Sequence, residues 1–370
     1  MILSKYPYVV QKEILDHMKY SELFLLSFAS KNMKKLIKSS QMNRFQSVSL
    51  IKYTCDHRGE PWVHVHYGNN SERIMIIAKH KEDKYGYFQL KVSGKIIDFR
   101  SHPRKYRNIR LRSIENSYYP YSVASYPPSE KETVVQSIHN YFLGFFGNSM
   151  EYQWEAKYLS DESFYIPFIP QLQNVSFHIM IQMDQNFAYM ENLDNLFSLS
   201  PVLKSIKLST ASTEPINPES KFYQAESIEI KQLFYASPVS FHHFKGRQLS
   251  ITGVGIREDL IEFVNRWKSG EAFQKLEYLK FKVFMINPLH NGILNEIGAK
   301  YIDELKQPPA HTLPKVYHWY NERPKTKPII SHTYVVRETD NRVASILIGE
   351  RTLYFGVWNE TEEEFLEMVK

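Results

Sequence analysis

The stretch YPYVVQKEILDHMKYSELFLLSFASKNMKKLIK, residues 6–38, has the most regular spacing of apolar residues in the chain. Val10, Ile14 and Met18 recur every four residues, which places them on one face of a helix. Pro7 suits the first position of that helix, because a backbone N–H would have no partner there. The pattern therefore predicts an amphipathic helix that begins near Pro7.

A second and a third short helix follow within the same stretch. Ser21 is the predicted N-cap of the second helix, and Glu22 adds favourable negative charge to its first turn. The apolar residues of this helix cover most of its surface: Leu23, Phe24, Leu26 and Phe28. The third helix carries Met33, Leu36 and Ile37. A segment of about 40 residues cannot bury this much apolar surface alone. The second helix therefore either packs on the rest of the chain or offers a face to a partner.

Parts of this stretch resemble an F-box, most closely that of the large F-box family expanded in nematodes: 6–15, 21–23, 26–27, 30–31 and 36–38. Tyr6-Pro7 stands where the family usually has Leu-Pro, and the aromatic residue often found in the third helix is absent. The resemblance implies a three-helix F-box at residues 1–42 that docks on a Skp-type subunit of a ubiquitin ligase. The docking residues that it implies are Pro7, Ile14, Leu15, Leu23 and Leu26.

Composition narrows the class of protein. The 370 residues are 43% apolar and 23% charged, an ordinary balance for a soluble chain, and the net charge of +6 is mildly basic. The single cysteine, Cys55, cannot form an internal disulfide, which favours a reducing compartment, and it excludes a cysteine-rich zinc module. The amino terminus lacks the pattern of a signal peptide, and the apolar runs are too short to span a bilayer. We therefore predict a cytoplasmic or nuclear protein without a membrane partner.

Between Phe45 and Phe99 the apolar residues recur at every second position, which predicts β-strands. The predicted strands cover residues 48–51, 62–66, 74–77 and 87–92. His64 and His66 would lie on one side of the second strand, where they could bind a metal. Because the spacing supplies no third ligand, we expect an exposed polar face there and no metal.

A basic, tyrosine-rich connector is predicted at residues 100–128, and it completes a β-rich segment that covers residues 45–128. Six cations and no acid lie within thirteen residues: Arg100, Arg104, Lys105, Arg107, Arg110 and Arg112. Cations mixed with tyrosines can bind single-stranded nucleic acid. A solvated connector is the expected role, because no recognised RNA-binding module surrounds the segment.

Five segments of the second half share one pattern, in which apolar and polar residues alternate after a polar start: 173–177, 204–208, 226–230, 247–251 and 277–281. Their first apolar positions are Val175, Ile206, Ile228, Leu249 and Leu279. The steps between these positions straddle the length of leucine-rich repeats. Each unit would add one strand to a parallel sheet, and residues 257–268 would form a returning helix.

The last strands predict an antiparallel hairpin. Residues 334–337 and 343–346 flank turn-prone residues at 338–342, and residues 352–358 add another strand. Residues 260–267, 275–279, 336–346 and 357–358 resemble the F-box-associated domain, type 2, of the same nematode family. Asn341 stands where that family usually has glycine, and asparagine tolerates a positive φ. The resemblance implies a recognition domain at residues 129–370.

The predicted fold is α+β: an N-terminal three-helix F-box, then a degenerate leucine-rich-repeat-like α/β domain with a C-terminal antiparallel hairpin. No enzyme motif is present, and Cys55 with His57 is too close in sequence to imply a catalytic pair. We therefore predict a non-catalytic adaptor with no cofactor, which binds a Skp-type protein, through it a cullin, and an unknown protein substrate. The alternatives are a protein-binding scaffold outside ubiquitin ligation and a nucleic-acid binder that uses residues 100–126. Trp319, Tyr320 and Trp358 are candidate substrate contacts, with core packing the expected role.

Overall fold

The computed structural model describes residues 5–55, 59–81, 86–101, 122–147, 150–159, 172–182, 190–210, 216–232, 241–253, 257–283, 292–319 and 322–370. The chain divides into two compact units. The first unit comprises residues 1–157 and 167–176, and the second comprises residues 158–166 and 177–370.

The first unit contains the helices α1 (Tyr8–Asp16), α2 (Tyr20–Ser27), α3 (Lys31–Ser40), α4 (Met42–Gln46) and α5 (Lys131–Phe146). The three predicted N-terminal helices are thus confirmed, and a short fourth helix follows them. Ser30 caps α3, because its hydroxyl oxygen accepts a hydrogen bond from the Met33 amide at 3.1 Å. Gly147 ends α5 with a φ of 90°, a backbone conformation that residues other than glycine rarely adopt.

One sheet forms the other layer of the first unit. Its strands are β1 (Val48–Cys55), β2 (Pro61–Tyr67), β3 (Asn70–Lys79), β4 (Phe88–Val92), β5 (Lys95–Ser101), β6 (Ser122–Tyr126) and β7 (Glu151–Leu159). Their order is β7-β1-β2-β3-β6-β5-β4. The pairs β7–β1 and β3–β6 are parallel, and the other neighbouring pairs are antiparallel. All four strands predicted between Phe45 and Phe99 are present.

The core of the first unit joins α5 to β1 and β7. Tyr53 stacks on Trp154 with ring centroids 5.3 Å apart, and both side chains are completely buried. The Tyr53 hydroxyl lies 3.0 Å from Nδ1 of His139, and Nε2 of His139 lies 2.8 Å from the Gln173 carbonyl oxygen. The neutral tautomer with the proton on Nε2 satisfies both hydrogen bonds, and burial lowers the pKa of His139, which favours this neutral form.

The division into units differs from the predicted division into domains. Residues 1–42 and the β-rich segment lie in one unit, together with α5 and β7, which the sequence assigned to the recognition domain. Within this unit, the Phe24 ring of α2 packs edge-on against Phe142 of α5 at 5.3 Å. Helix α2 therefore lies in the same core as α5.

The second unit contains α6 (Met190–Leu199), α7 (Arg257–Lys268), α8 (Gly292–Glu296) and α9 (Glu362–Glu367). Its strands are β8 (Val175–Gln182), β9 (Ser205–Thr210), β10 (Ser227–Gln232), β11 (Gln248–Gly253), β12 (Tyr278–Val283), β13 (Lys300–Tyr301), β14 (Ala310–His311), β15 (Ile329–Ile330), β16 (Thr333–Val336), β17 (Arg342–Gly349) and β18 (Thr352–Thr361). Strands β8 to β12 pair in parallel, and β12, β18, β17, β16 and β13 continue the sheet antiparallel. Helix α7 has the predicted bounds.

The register of the parallel strands corrects one sequence assignment. Ile206, Ile228, Leu249 and Leu279 pair across β9 to β12, as the shared pattern predicts. In β8, however, Ile179 and not Val175 pairs with Ile206. Both residues belong to the same alternating run, so the pattern alone could not choose between positions an even number of residues apart.

The tail of the second unit folds back on itself. β16 and β17 pair antiparallel, and Asn341 between them has a φ of 57°, the left-handed conformation that asparagine tolerates. Arg337 donates to the Asp340 carboxylate at 2.6 Å, which closes the turn and lowers the pKa of Asp340. Among the described helices, none is both long and apolar enough to cross a membrane.

Candidate functional site

The first turn of α1 exposes apolar side chains on several sides. Val9 is 76% exposed, and Tyr8 and Val10 beside it are also exposed. Pro7 precedes them at the N-cap and is exposed, and Ile14 is half-buried one turn further on. We call Pro7, Tyr8, Val9, Val10 and Ile14 the α1 surface. Exposed apolar side chains gathered in one place are typical of a surface that binds another protein.

Leu15 and Arg44 hold α1 in place from its inner side. Leu15 is completely buried. The Arg44 guanidinium donates to the carbonyl oxygens of Leu15 and Asp16 at 3.2 Å and of Met18 at 3.0 Å. Leu15 and Asp16 lie in the last turn of α1 and Met18 lies just beyond it, where backbone carbonyls have no donor in the following turn of a helix. Arg44 also lies 4.8 Å from the centre of the Tyr20 ring. The α1 surface therefore rests on a fixed helix.

Helix α2 is part of the core of the first unit. Leu23 and Phe24 are completely buried, and the Phe24 ring lies 5.3–5.4 Å from the rings of Phe142, Phe145 and Phe146 in α5. Of the two possibilities for the second helix, packing on the rest of the chain holds for Leu23 and Phe24. The physical reason is that α5 supplies an aromatic surface that covers this side of α2, and α5 lies more than a hundred residues away in sequence.

The start of α2 is held by a residue that the sequence analysis did not identify. The Glu72 carboxylate on β3 accepts from the Ser21 amide at 3.0 Å, from the Ser21 hydroxyl at 2.9 Å and from the Tyr20 amide at 3.3 Å. Ser21 is therefore not the N-cap. Lys19 occupies that position, and its amide donates to Glu22 at 2.8 Å. Two carboxylates thus meet the positive end of the helix dipole.

The five predicted docking residues differ in their access to solvent. Pro7 is exposed, and Ile14 and Leu26 are half-buried, so each can touch a partner without rearrangement. Leu15 and Leu23 are completely buried, so neither offers surface to a partner in this structure. Tyr8 and Val9 were not among the predicted docking residues, although they belong to the same apolar run as Val10. A helical pattern with residues 8, 9 and 10 all apolar was the available signal.

The sequence also singled out the histidine pair of β2 and Cys55. His64 and His66 lie on the side of β2 opposite Val63 and Val65, and no third metal ligand joins them among the residues that the structure describes. Burial, helped by the nearby charge of Arg73, lowers the pKa of His64 to about 3. Cys55 is completely buried.

The remaining candidates fall partly outside the described residues. His57, Tyr320 and most of the basic connector, residues 102–121, lie in ranges that the structure does not describe. Arg100, at the start of the connector, is buried. Trp319 and Trp358 are both buried, so they pack inside the second unit, where Nε1 of Trp358 donates to the Ser345 hydroxyl at 2.8 Å.

Comparison with known protein families places an F-box domain at residues 7–45, which cover α1 to α3 and all but the last residue of α4. This finding confirms the F-box predicted at the amino terminus. An F-box implies a role as an adaptor of a Skp–cullin–F-box ubiquitin ligase, in which it binds a Skp-type protein and through it a cullin. F-box proteins are generally non-catalytic subunits of these complexes. Neither the comparison with curated proteins nor that with solved structures gave a significant match.

Proposed function

We propose that this chain is a substrate-recognition adaptor of a Skp–cullin–F-box ubiquitin ligase, in which the α1 surface docks on the Skp-type protein. The observation that carries the proposal is the exposure of Val9 and its apolar neighbours within the F-box match. Burying one such side chain contributes roughly 1.5–3 kcal/mol. The arrangement suits a helix whose inner side is held by Leu15 and Arg44 while its outer side meets a partner.

We further propose that the second unit binds the protein substrate. This proposal keeps the predicted recognition domain at residues 129–370 but narrows it, because α5 and β7 belong to the first unit. We also propose that the second unit is related to the type 2 F-box-associated domain of the nematode F-box family. The same proposal includes the leucine-rich-repeat-like character of its parallel strands. The parallel pairing of β8 to β12 supports it, since a sheet of this kind presents side chains from several strands on one surface.

Val9→Asp in the full chain tests the docking surface. Val9 is the second residue of α1, where an acidic side chain suits the helix dipole, so folding should be preserved. We expect at least about tenfold weaker binding to a purified Skp-type protein in calorimetry, because an interface valine becomes a buried charge. The thermal midpoint should stay close to that of the wild type.

Leu305→Asp is the matched control. Leu305 is 95% exposed in the second unit, so it tests whether any added charge in place of an exposed apolar group weakens binding. We expect wild-type affinity for the Skp-type protein. Normal binding by Val9→Asp would remove the α1 surface as the docking site, and failure of the wild-type chain to bind any Skp-type protein would refute the adaptor function.

A binding scaffold outside ubiquitin ligation is the second candidate. The burial of α2 against α5 favours it, because helices that only complete a core need no partner. Deleting residues 1–42 does not separate the two candidates, since the deletion would expose Phe142 and Phe145 in either case. The affinity of the intact chain for a Skp-type protein does separate them.

A further inference from the structure

A groove with a cavity volume of about 390 Å³ lies on the polar face of the parallel strands in the second unit. Two acidic residues line it, Glu229 and Glu322. Five cationic residues line it as well: Lys280, Lys315, Arg323, Lys325 and Lys327. We call these seven residues the basic groove. Its floor is made of small polar groups from adjacent strands, Ser205, Ser227 and Ser250. Side chains this small leave the groove open above the sheet.

A two-stranded ribbon forms one wall of the groove. β14 and β15 pair antiparallel, and the pairing continues where the Thr326 amide donates to the Leu313 carbonyl at 2.8 Å. The buried side chain of Gln248 on β11 fixes this ribbon to the sheet. Its amide group donates to the Pro314 carbonyl at 2.8 Å and accepts from the Val316 amide at 3.1 Å. A wall held in this way is ordered before any ligand arrives, which lowers the entropic cost of binding.

The two acids of the groove are already paired inside it. Lys207 on β9 contacts Glu322 at 2.5 Å and Glu229 at 3.1 Å, and Lys315 contacts Glu322 at 2.8 Å. Burial alone would raise the pKa of Glu322, but Lys207 and Lys315 outweigh it and lower this pKa, so the carboxylate is charged at neutral pH. In the described part of the chain, four cations of the groove have no acidic partner: Lys280, Arg323, Lys325 and Lys327, the last of which lies against the Tyr354 ring. The positive charge that remains available is therefore theirs.

Three cations of the ribbon are exposed: Arg323, Lys325 and Lys327. Lys325 pairs antiparallel with Pro314, and the chain runs extended from Lys325 to Lys327 with the buried Thr326 between them, while Arg323 precedes a bend at Pro324. In extended backbone, side chains at alternate positions share one side and repeat about every 6.6 Å. A second extended chain laid along the ribbon has the same repeat, so acidic residues at alternate positions would face Lys325 and Lys327 one by one.

We propose that the basic groove binds an extended segment of a substrate protein in which Asp or Glu occupies alternate positions. The inference rests on the proposed function, since it names the class of substrate that the second unit takes. Three cations spread along the ribbon suit several single carboxylates better than one compact multivalent group.

The aromatic residues of the groove favour a peptide over single-stranded nucleic acid. Bases bind such proteins by stacking on exposed aromatic faces. Tyr278, Trp319 and Tyr354 are all buried, and Nζ of Lys327 already lies 4.8 Å above the Tyr354 ring. Tyr317 is stacked on His178 at 3.8 Å. These rings therefore form packed walls and not stacking platforms.

The test is fluorescence anisotropy of the full chain with a labelled synthetic peptide in which Glu alternates with Ser. The groove variant combines Arg323→Gln, Lys325→Gln and Lys327→Gln, which are exposed and should leave folding intact. We expect at least about tenfold weaker peptide binding, and a steep loss of wild-type binding with salt. A peptide of the same composition with its Glu residues in one block should bind more weakly than the alternating one.

The matched control combines Lys245→Gln, Lys275→Gln and Lys306→Gln, three exposed lysines of the second unit that do not line the groove. It removes the same net charge and should keep affinity within about twofold of the wild type. Equal loss in both variants, or no binding by the wild type, overturns the inference. So does displacement of the peptide by a thymidine oligonucleotide that binds more tightly through the same three cations.

Binding of a Skp-type protein is measured on the same samples. If the groove variant still binds the Skp-type protein and the wild type does not bind the acidic peptide, the proposed peptide site is refuted and the adaptor function is not. If the peptide binds through the groove but no Skp-type protein binds, the adaptor function fails and the groove is a peptide site of a different protein class.

Discussion

Helices α1 and α2 are neighbours in sequence and both are rich in apolar residues, yet the apolar residues in the first turn of α1 are exposed and those of α2 are buried or half-buried. Val9 in α1 is 76% exposed, whereas Phe24 in α2 is completely buried among the aromatic rings of α5. In α2 the apolar residues contribute to folding free energy, and in α1 those at its first turn do not. The comparison separates residues that maintain the F-box from residues that are free to bind a partner.

Phe24→Ala should have the largest effect on stability. It removes a ring that packs against Phe142, Phe145 and Phe146, and truncating a buried phenylalanine typically costs about 3–5 kcal/mol. Urea unfolding of the full chain measures the loss. Val9→Ala is the paired control and should change the free energy of unfolding by less than about 0.5 kcal/mol. Similar losses in the two variants would contradict the contrast between the helices.

Arg44→Ala should come next. The guanidinium donates to the carbonyls of Leu15, Asp16 and Met18, so its loss leaves several partly buried acceptors without their donor. We expect about 2–3 kcal/mol of destabilisation by urea unfolding. Arg44→Lys should recover little, because an ammonium group cannot reproduce the planar fork. A fully stable Arg44→Ala variant would show that α1 is held by Leu15 alone.

Leu26→Ala tests a residue between the two extremes. Leu26 is half-buried on α2, so truncation should cost about 1–2 kcal/mol, less than at Phe24. If its exposed part also contacts the Skp-type protein, affinity should fall by about tenfold. Thermal midpoint and calorimetric affinity separate the two effects. A folded Leu26→Asp variant with unchanged affinity would restrict docking to α1.

The smallest effect is expected from acid, through His64 in the sheet of the first unit. Burial, with Arg73, His66 and Lys52 nearby, lowers the pKa of His64 from 6.5 to about 3. Between these values the unfolded chain binds a proton at His64 that the folded chain does not. The contribution of neutral His64 to the free energy of unfolding is therefore fully present above pH 6.5 and is lost as the pH falls towards 3. About one pH unit below 6.5 the loss should be about 1 kcal/mol.

Urea unfolding at neutral pH and at about pH 5.5 measures this loss. His64→Gln should remove the His64 contribution, because glutamine does not titrate. His17→Gln is the control for replacing a histidine, since the His17 side chain is 76% exposed and follows α1, away from β2. An unaltered acid response in His64→Gln would show that other groups cause it.

Several elements could be predicted from the sequence because their signals are local. The four-residue spacing of Val10, Ile14 and Met18 identified α1, and the apolar residues of 257–268 located α7 with its observed bounds. Alternation predicted the strands, and the shared pattern of four segments predicted the paired positions from Ile206 to Leu279. Each of these signals depends on residues a few positions apart.

The choice of α2 over α1 as the buried helix was decided only by the tertiary structure. α2 is apolar on most sides, so its pattern cannot say which side is covered, and α5 supplies the covering surface from a distant part of the chain. Likewise, Glu72 rather than Ser21 anchors the start of α2, and Ile179 rather than Val175 pairs with Ile206. Local periodicity determines which residues form a helix or a strand, but burial depends on what packs against it, and that contact comes from residues far away in sequence.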